Sequence, residues 1–139
     1  MREDRTVRLS ISLPESLLDE LDERVVRRGY SSRSEFVRDL VREKMTEETW
    51  AAGRKEVVGV LTIGFDHHAA DVAERITEIQ HGSPANVLCS THVHLDHENC
   101  LETVIIKGRS DEIQRIALEA GGLRGVRFAR LTRASSVEF

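Results

Sequence analysis

The sequence predicts an α+β protein in two parts, a short βαα segment followed by a βαββαβ domain. Three observations carry this reading. Residues 6–13 (TVRLSISL) alternate apolar and polar at the period of a strand. Residues 14–50 hold two apolar stripes at helical spacing, parted by Gly29-Tyr30. Beyond Ala51-Ala52-Gly53 the pattern changes to short apolar strands interleaved with two helices. The expected parts are therefore 1–50, a joint at 51–54, and 55–139.

Within the first part, Val7, Leu9, Ile11 and Leu13 share one face of the strand, and Arg8, Ser10 and Ser12 share the other. Pro14 and Glu15 open the first helix, where a proline lacks no needed donor and a carboxylate meets the positive end of the dipole. Leu17, Leu18, Leu21, Val25 and Val26 form its stripe, and Gly29 ends it. Ser32 caps the second helix with Glu35 three residues on; its stripe is Phe36, Val37, Leu40, Val41 and Met45. The strand has no partner inside this part, and an unpaired alternating strand is an aggregation hazard. The economical solution is an intertwined dimer in which the strand pairs with its copy, a ribbon-helix-helix. Such ribbons enter the DNA major groove. Arginine can grip guanine there and serine hydroxyls serve either edge, so Arg8, Ser10 and Ser12 are the candidate base readers. The plainer reading is an edge strand with a solvated polar face.

In the second part, 55–65, 86–95, 99–108 and 125–132 read as strands, and 66–81 and 110–122 as helices capped by Asp66 and Ser110. The order is ferredoxin-like, with helices on one face of a four-stranded antiparallel sheet and the other face open to a partner chain.

The stretch 92-HVHLDHENC-100 holds three of the six histidines and one of the two cysteines. Alternation puts His92 and His94 on one face. A hairpin centred on His97 pairs His94 with Cys100 and His92 with Glu102, with opposed Cβ atoms about 4.5–5.5 Å apart. A slip by one residue would move Cys100 to the wrong face. Two imidazoles and a thiolate suit Ni²⁺, Cu²⁺ or Zn²⁺ rather than Mg²⁺ or Ca²⁺. They leave a coordination position open, for which His81 is a free candidate. The plainer reading is a wet sheet surface with Cys100 as a small buried hydrophobe. His67 and His68 read as solvated first-turn residues, His97 as an exposed hairpin tip, and Cys89 as packing.

Composition is that of an ordinary globular protein, 40% hydrophobic and 32% charged over 139 residues. No apolar run is long enough to span a bilayer, and MREDRTVR lacks the apolar core of a secretory signal. Two cysteines make no disulfide framework and read as reduced thiols, which with the missing signal predicts a cytoplasmic protein. A net charge of −4 argues against a nucleic-acid partner, though a whole-chain sum hides local patches.

The combination of VRLSISLPESLLDELDERVVRRGYSSRSEFVRDLVRE with QH…HVHLDHENCLE resembles the nickel-responsive NikR transcriptional repressors over residues 6–133. The resemblance implies an ACT-type second domain at the core of a homotetramer (a dimer of dimers), flanked by two DNA-binding dimers. It implies one square-planar Ni²⁺ per subunit, held by His92, His94 and Cys100 of one chain and His81 of its neighbour. It places Glu102 behind the ligands, Arg8, Ser10 and Ser12 on operator bases, and Glu35 and Asp39 at a second cation site. Its function would be to repress nickel uptake genes by binding a double-stranded operator with two half-sites. This sequence departs from the family after QH, where GSPAN replaces the further histidines of some members. The rival readings are a metalloenzyme or metal store with water as fourth ligand, an ACT-type small-molecule sensor, and an antitoxin. No nucleophile-base arrangement favours an enzyme.

Overall fold

The computed structural model describes residues 5–134. The chain forms two compact units, 1–41 and 42–139. The boundary falls inside a helix, α2 (Arg33–Ala52), which is the element both units share.

The first unit holds α1 (Glu15–Arg27) and the start of α2. Pro14 precedes the first turn of α1, its carbonyl accepting from the backbone N–H of Leu17 and Leu18. Gly29 ends it in the left-handed region (φ 73°), where Gly29 and Tyr30 donate back to Val26 and Val25. Ser32 caps α2 as expected, its hydroxyl accepting from the backbone N–H of Glu35 at 3.2 Å. The Arg33 guanidinium grips both carboxylate oxygens of Asp22 at 2.5 and 2.6 Å, fixing α2 against α1.

Residues 5–14 carry no regular secondary structure in the single chain. A strand needs a hydrogen-bonding neighbour, and this unit contains none. Val7 and Leu9 are 82% exposed and Ile11 59%. Phe36 is the only fully buried side chain among the described residues of the unit, packed against Tyr30. One such burial is worth about 1.5–3 kcal/mol. Ordering each backbone residue costs about 1–2 kcal/mol, so this unit needs apolar surface from elsewhere.

The second unit contains β1 (Glu56–Asp66), α3 (Val72–Gly82), β2 (Asn86–His94), β3 (Asn99–Arg109), α4 (Ser110–Gly121) and β4 (Val126–Arg133). The strands run antiparallel in the order β2-β3-β1-β4, the ferredoxin-like arrangement expected. Val57, Leu61, Ile63 and Phe65 of β1, with Cys100, Val104 and Ile106 of β3, meet Ile76 of α3 and Ile113 and Ile116 of α4 in one core. On the opposite face Val93 and Phe128 remain 42% and 41% exposed. Among the described residues no helix is long and apolar enough to cross a membrane.

Three readings differ from the sequence expectation. Asp66 is not a helix cap but the last residue of β1, opposite Asn99, and α3 begins six positions later after a turn. Strand pairing along the whole of β3 outcompetes a local cap. Ser110 does not cap α4 either: its hydroxyl, fully buried, donates to the Trp50 carbonyl at 3.0 Å. Ala51 and Ala52 belong to α2, which ends at Gly53 (φ 72°).

Trp50, the single tryptophan, is fully buried in the core of the second unit. Its ring lies over Gly59 of β1, where an added Cβ would stand 3.0–3.1 Å from Trp50, Ile113 and Leu131. Gly59→Ala overpacks this seat and is expected to destabilise the domain by about 1–3 kcal/mol in chemical denaturation. The Arg33 hydrogen bonds hold the Asp22 carboxyl below its ordinary value. A lowered folded-state value contributes stability above the unfolded carboxyl value and loses it as pH falls through the folded one. Asp22→Asn is therefore expected to speed amide exchange in α1 at neutral pH and to have no such effect in strong acid.

Candidate metal centre

The site is built on the tip of the β2–β3 hairpin. Asp96 locks the turn: its Oδ1 accepts from the backbone N–H of Glu98 and Asn99 at 2.8 Å each, and Asn99 Nδ2 reaches both its oxygens. Leu95 N–H closes the turn on the Asn99 carbonyl at 2.8 Å. The register that results pairs His94 with Cys100 and His92 with Glu102, as the spacing predicts. Farther from the turn a bulge between Val87 and Cys89 shifts the pairing, without touching the site.

Cys100 is buried on the helix-covered face, while His92 and His94 are exposed at the sheet edge. Cys100 Sγ lies 3.2 Å from His94 Nδ1. The His92 ring centroid stands 5.0 Å from that of His94 and meets the Phe65 ring edge-on at 5.4 Å. Burial pushes the Cys100 thiol upward, and the nearby negative charges of Asp96 and Asp66 add to the shift. A metal taken up there would have to displace a proton from sulfur.

A residue read from sequence as solvated also joins the cluster. His67 Nδ1 is 3.4 Å from Cys100 Sγ, and its ring is 4.7 Å from that of His94. The donor atoms of His67, His94 and Cys100 lie within 4.8 Å of one another. The cause is the length of β1. Phe65 pairs with Cys100 and Asp66 with Asn99, so the next residue comes over the hairpin tip, where its N–H donates to the Glu98 carbonyl at 2.6 Å. The signal in the sequence is the phase of the strand, which carries on through Asp66 and gives position 67 the same face as Phe65. His68 is exposed, its ring 5.4 Å from that of His67.

His81 stands exposed in the last turn of α3 and is not a member of the intrachain group. Its neighbour Gln80 is buried. Gln80 Nε2 donates to Glu102 Oε1 at 2.9 Å, and Ser90 Oγ donates to the same oxygen at 2.8 Å. Glu102 thus ties the end of α3 to both strands of the hairpin. Gln80 follows Val72 and Ile76 on the buried stripe of α3, a periodicity that marks it in the sequence. Cys89 is exposed rather than packed: it shares the register of Thr91 and Val93 and so lies on the open face of the sheet.

Of the other candidates, Arg8, Ser10 and Ser12 are exposed on the stretch that lacks regular structure. Glu35 accepts from the Ser31 hydroxyl at 2.5 Å and Asp39 from the Tyr30 hydroxyl at 2.9 Å, so both acids are held by local partners.

The donor set, two imidazoles and a sulfur in reach of one another, suits a borderline first-row cation. Comparison with known proteins agrees. Residues 58–134 match the family described as the NikR C terminal nickel binding domain, and residues 7–48 match the ribbon-helix-helix protein, copG family. A protein of Helicobacter pylori strain P12, called a nickel-responsive regulator, is 52% identical over 99% of this chain and 95% of its own length. One of the same name from Helicobacter acinonychis is 54% identical over the same shares. Another from Helicobacter hepaticus is 51% identical over 95% of this chain and 96% of its own.

Proposed function

The chain belongs to the NikR family of nickel-responsive regulators, and from that premise we propose that it is a repressor whose grip on DNA is set by Ni²⁺. The observation that carries the proposal is the hairpin register that puts His94 opposite Cys100 and His92 opposite Glu102. His92, His94 and Cys100 of one chain, with His81 of a neighbouring chain, supply three nitrogens and one sulfur. That set suits one square-planar Ni²⁺ per subunit. An exposed His81 supports this, because a ligand offered to another chain has to be presented at the surface. Glu102 braces the arrangement through Gln80, the residue before His81. The bound cation supplies a link between chains, and the chain's own residues supply its selectivity through ligand type and placement.

The exposed apolar face of residues 7–13 finds its neighbour in the same stretch of a second chain, as a two-stranded ribbon. Arg8, Ser10 and Ser12 then point together into a DNA major groove. Four chains, as two such dimers on a core of metal-binding domains, would bridge two half-sites of an operator for nickel uptake genes. This is a regulator of the cytoplasm and not an enzyme. Glu35 and Asp39 would complete a second cation site when DNA is bound, exchanging their hydroxyl partners for the ion. The DNA-binding part and the metal-binding and assembly part meet along α2 rather than at the expected joint 51–54, since Ala51 and Ala52 are helical and Trp50 belongs to the core of the second unit.

The geometry of the single chain favours a second ligand set, His67, His94 and Cys100. The two sets differ in their imidazoles and so are separable. His81→Ala is expected to abolish the sulfur-to-nickel charge-transfer absorption and the nickel-dependent protection of operator DNA in footprinting. His67→Ala is expected to keep both. The reverse pattern would assign the metal to the intrachain set. Equal footprints with and without Ni²⁺ in the unaltered protein would sink the regulatory proposal. Arg8→Ala is expected to lose about 1–3 kcal/mol of operator binding while leaving nickel uptake unchanged.

A further inference from the structure

The C-terminal turn of α2 is built into the second unit more firmly than a joint requires. The Trp50 ring is fully buried, and its Nε1 donates to the Ala134 carbonyl at 3.0 Å. Its own carbonyl accepts from Ser110 Oγ at 3.0 Å and from Gln114 Nε2 at 3.3 Å, besides the N–H of Gly53. Arg133 stacks its guanidinium over the ring, 5.8 Å from the centroid. A helix end that only led into a flexible joint would leave its last carbonyls to water. Here side chains from α4 meet one of them in a dry site.

The position of this seat matters. β3 begins at the metal cluster with Cys100 and runs without interruption to Arg109, directly before Ser110. At about 3.3 Å per residue this places about 20 Å between the cluster and the Trp50 ring over Gly59, and about 30 Å between the cluster and Ser110. β1 runs back alongside, from Gly59 under the Trp50 ring to Phe65 opposite Cys100. The two central strands therefore carry the cluster at one end and the Trp50 seat at the other. α2 starts in the unit that holds the DNA-binding residues and ends in that seat.

We propose that Trp50, held by Ser110, is the positioning residue through which metal occupancy reaches DNA binding. Its seat grips the end of α2 at the far end of the strands that carry Cys100. The inference rests on the nickel-regulator reading above and adds where the coupling passes. Coupling between sites is a ratio of affinities and can be lost while each site stays intact.

The test uses the full-length protein and a promoter fragment that it protects in footprinting. Operator affinity is measured with and without Ni²⁺ for the unaltered protein, Ser110→Ala and Trp50→Phe. Ser110→Ala leaves the single tryptophan as its own probe. Its acrylamide quenching is expected to rise, while nickel stoichiometry and charge-transfer absorption stay unchanged. The nickel-induced gain in affinity is expected to fall about tenfold. Trp50→Phe keeps an aromatic ring but loses the bond to Ala134, and should show the same loss of gain. A full gain in either nickel-replete variant overturns the inference, as does unchanged quenching in Ser110→Ala. If the unaltered protein shows no gain, it is the regulatory reading that fails.

Discussion

The register of the β2–β3 hairpin is the constraint on which the site depends. A turn closed by Asp96 on the Glu98 and Asn99 backbone leaves one way for the strands to pair. Because side chains alternate, that pairing decides at once which imidazoles face the sulfur. It also sets Glu102 where Gln80 and Ser90 can reach it, so the same register organises the support behind the ligands. β1, paired with β3 along its whole length, inherits this order and delivers His67 to the tip.

The two units differ in how far one chain can complete them. The second closes its own core between a four-stranded sheet and two helices, with Trp50 of α2 as part of that core. The first buries Phe36 fully and leaves Val7, Leu9 and Ile11 in water. Exposed apolar residues at strand spacing beside unpaired backbone are the feature on which the proposed pairing with a second chain rests. At the metal centre three donors gather in one chain, and His81 is exposed and not among them. Assembly would then satisfy a folding deficit and a coordination deficit together.

Net charge proved a poor guide to partners. Two arginines, Arg24 and Arg27, pair with acids one turn earlier on α1, and Arg33 pairs with Asp22. Part of the first unit's acidity is thus matched within its own helical surface. The polar row Arg8, Ser10 and Ser12, proposed above to meet DNA, would matter through position rather than through summed charge.

Sequence by itself determined the order of the helices and of the four strands in the second unit, the parity of His92, His94 and Cys100, and the helix stop at Gly29. Each depends on local chemistry: alternation, turn closure, or a residue that tolerates positive φ. Only the tertiary structure decided that Asp66 extends β1, that His67 meets Cys100, that Ser110 serves Trp50 rather than its own helix, and that Gln80 holds Glu102. These contacts join residues between 22 and 60 positions apart. Local spacing carries no information about them, because a side chain with two available partners takes the one that the packed sheet brings near and dry.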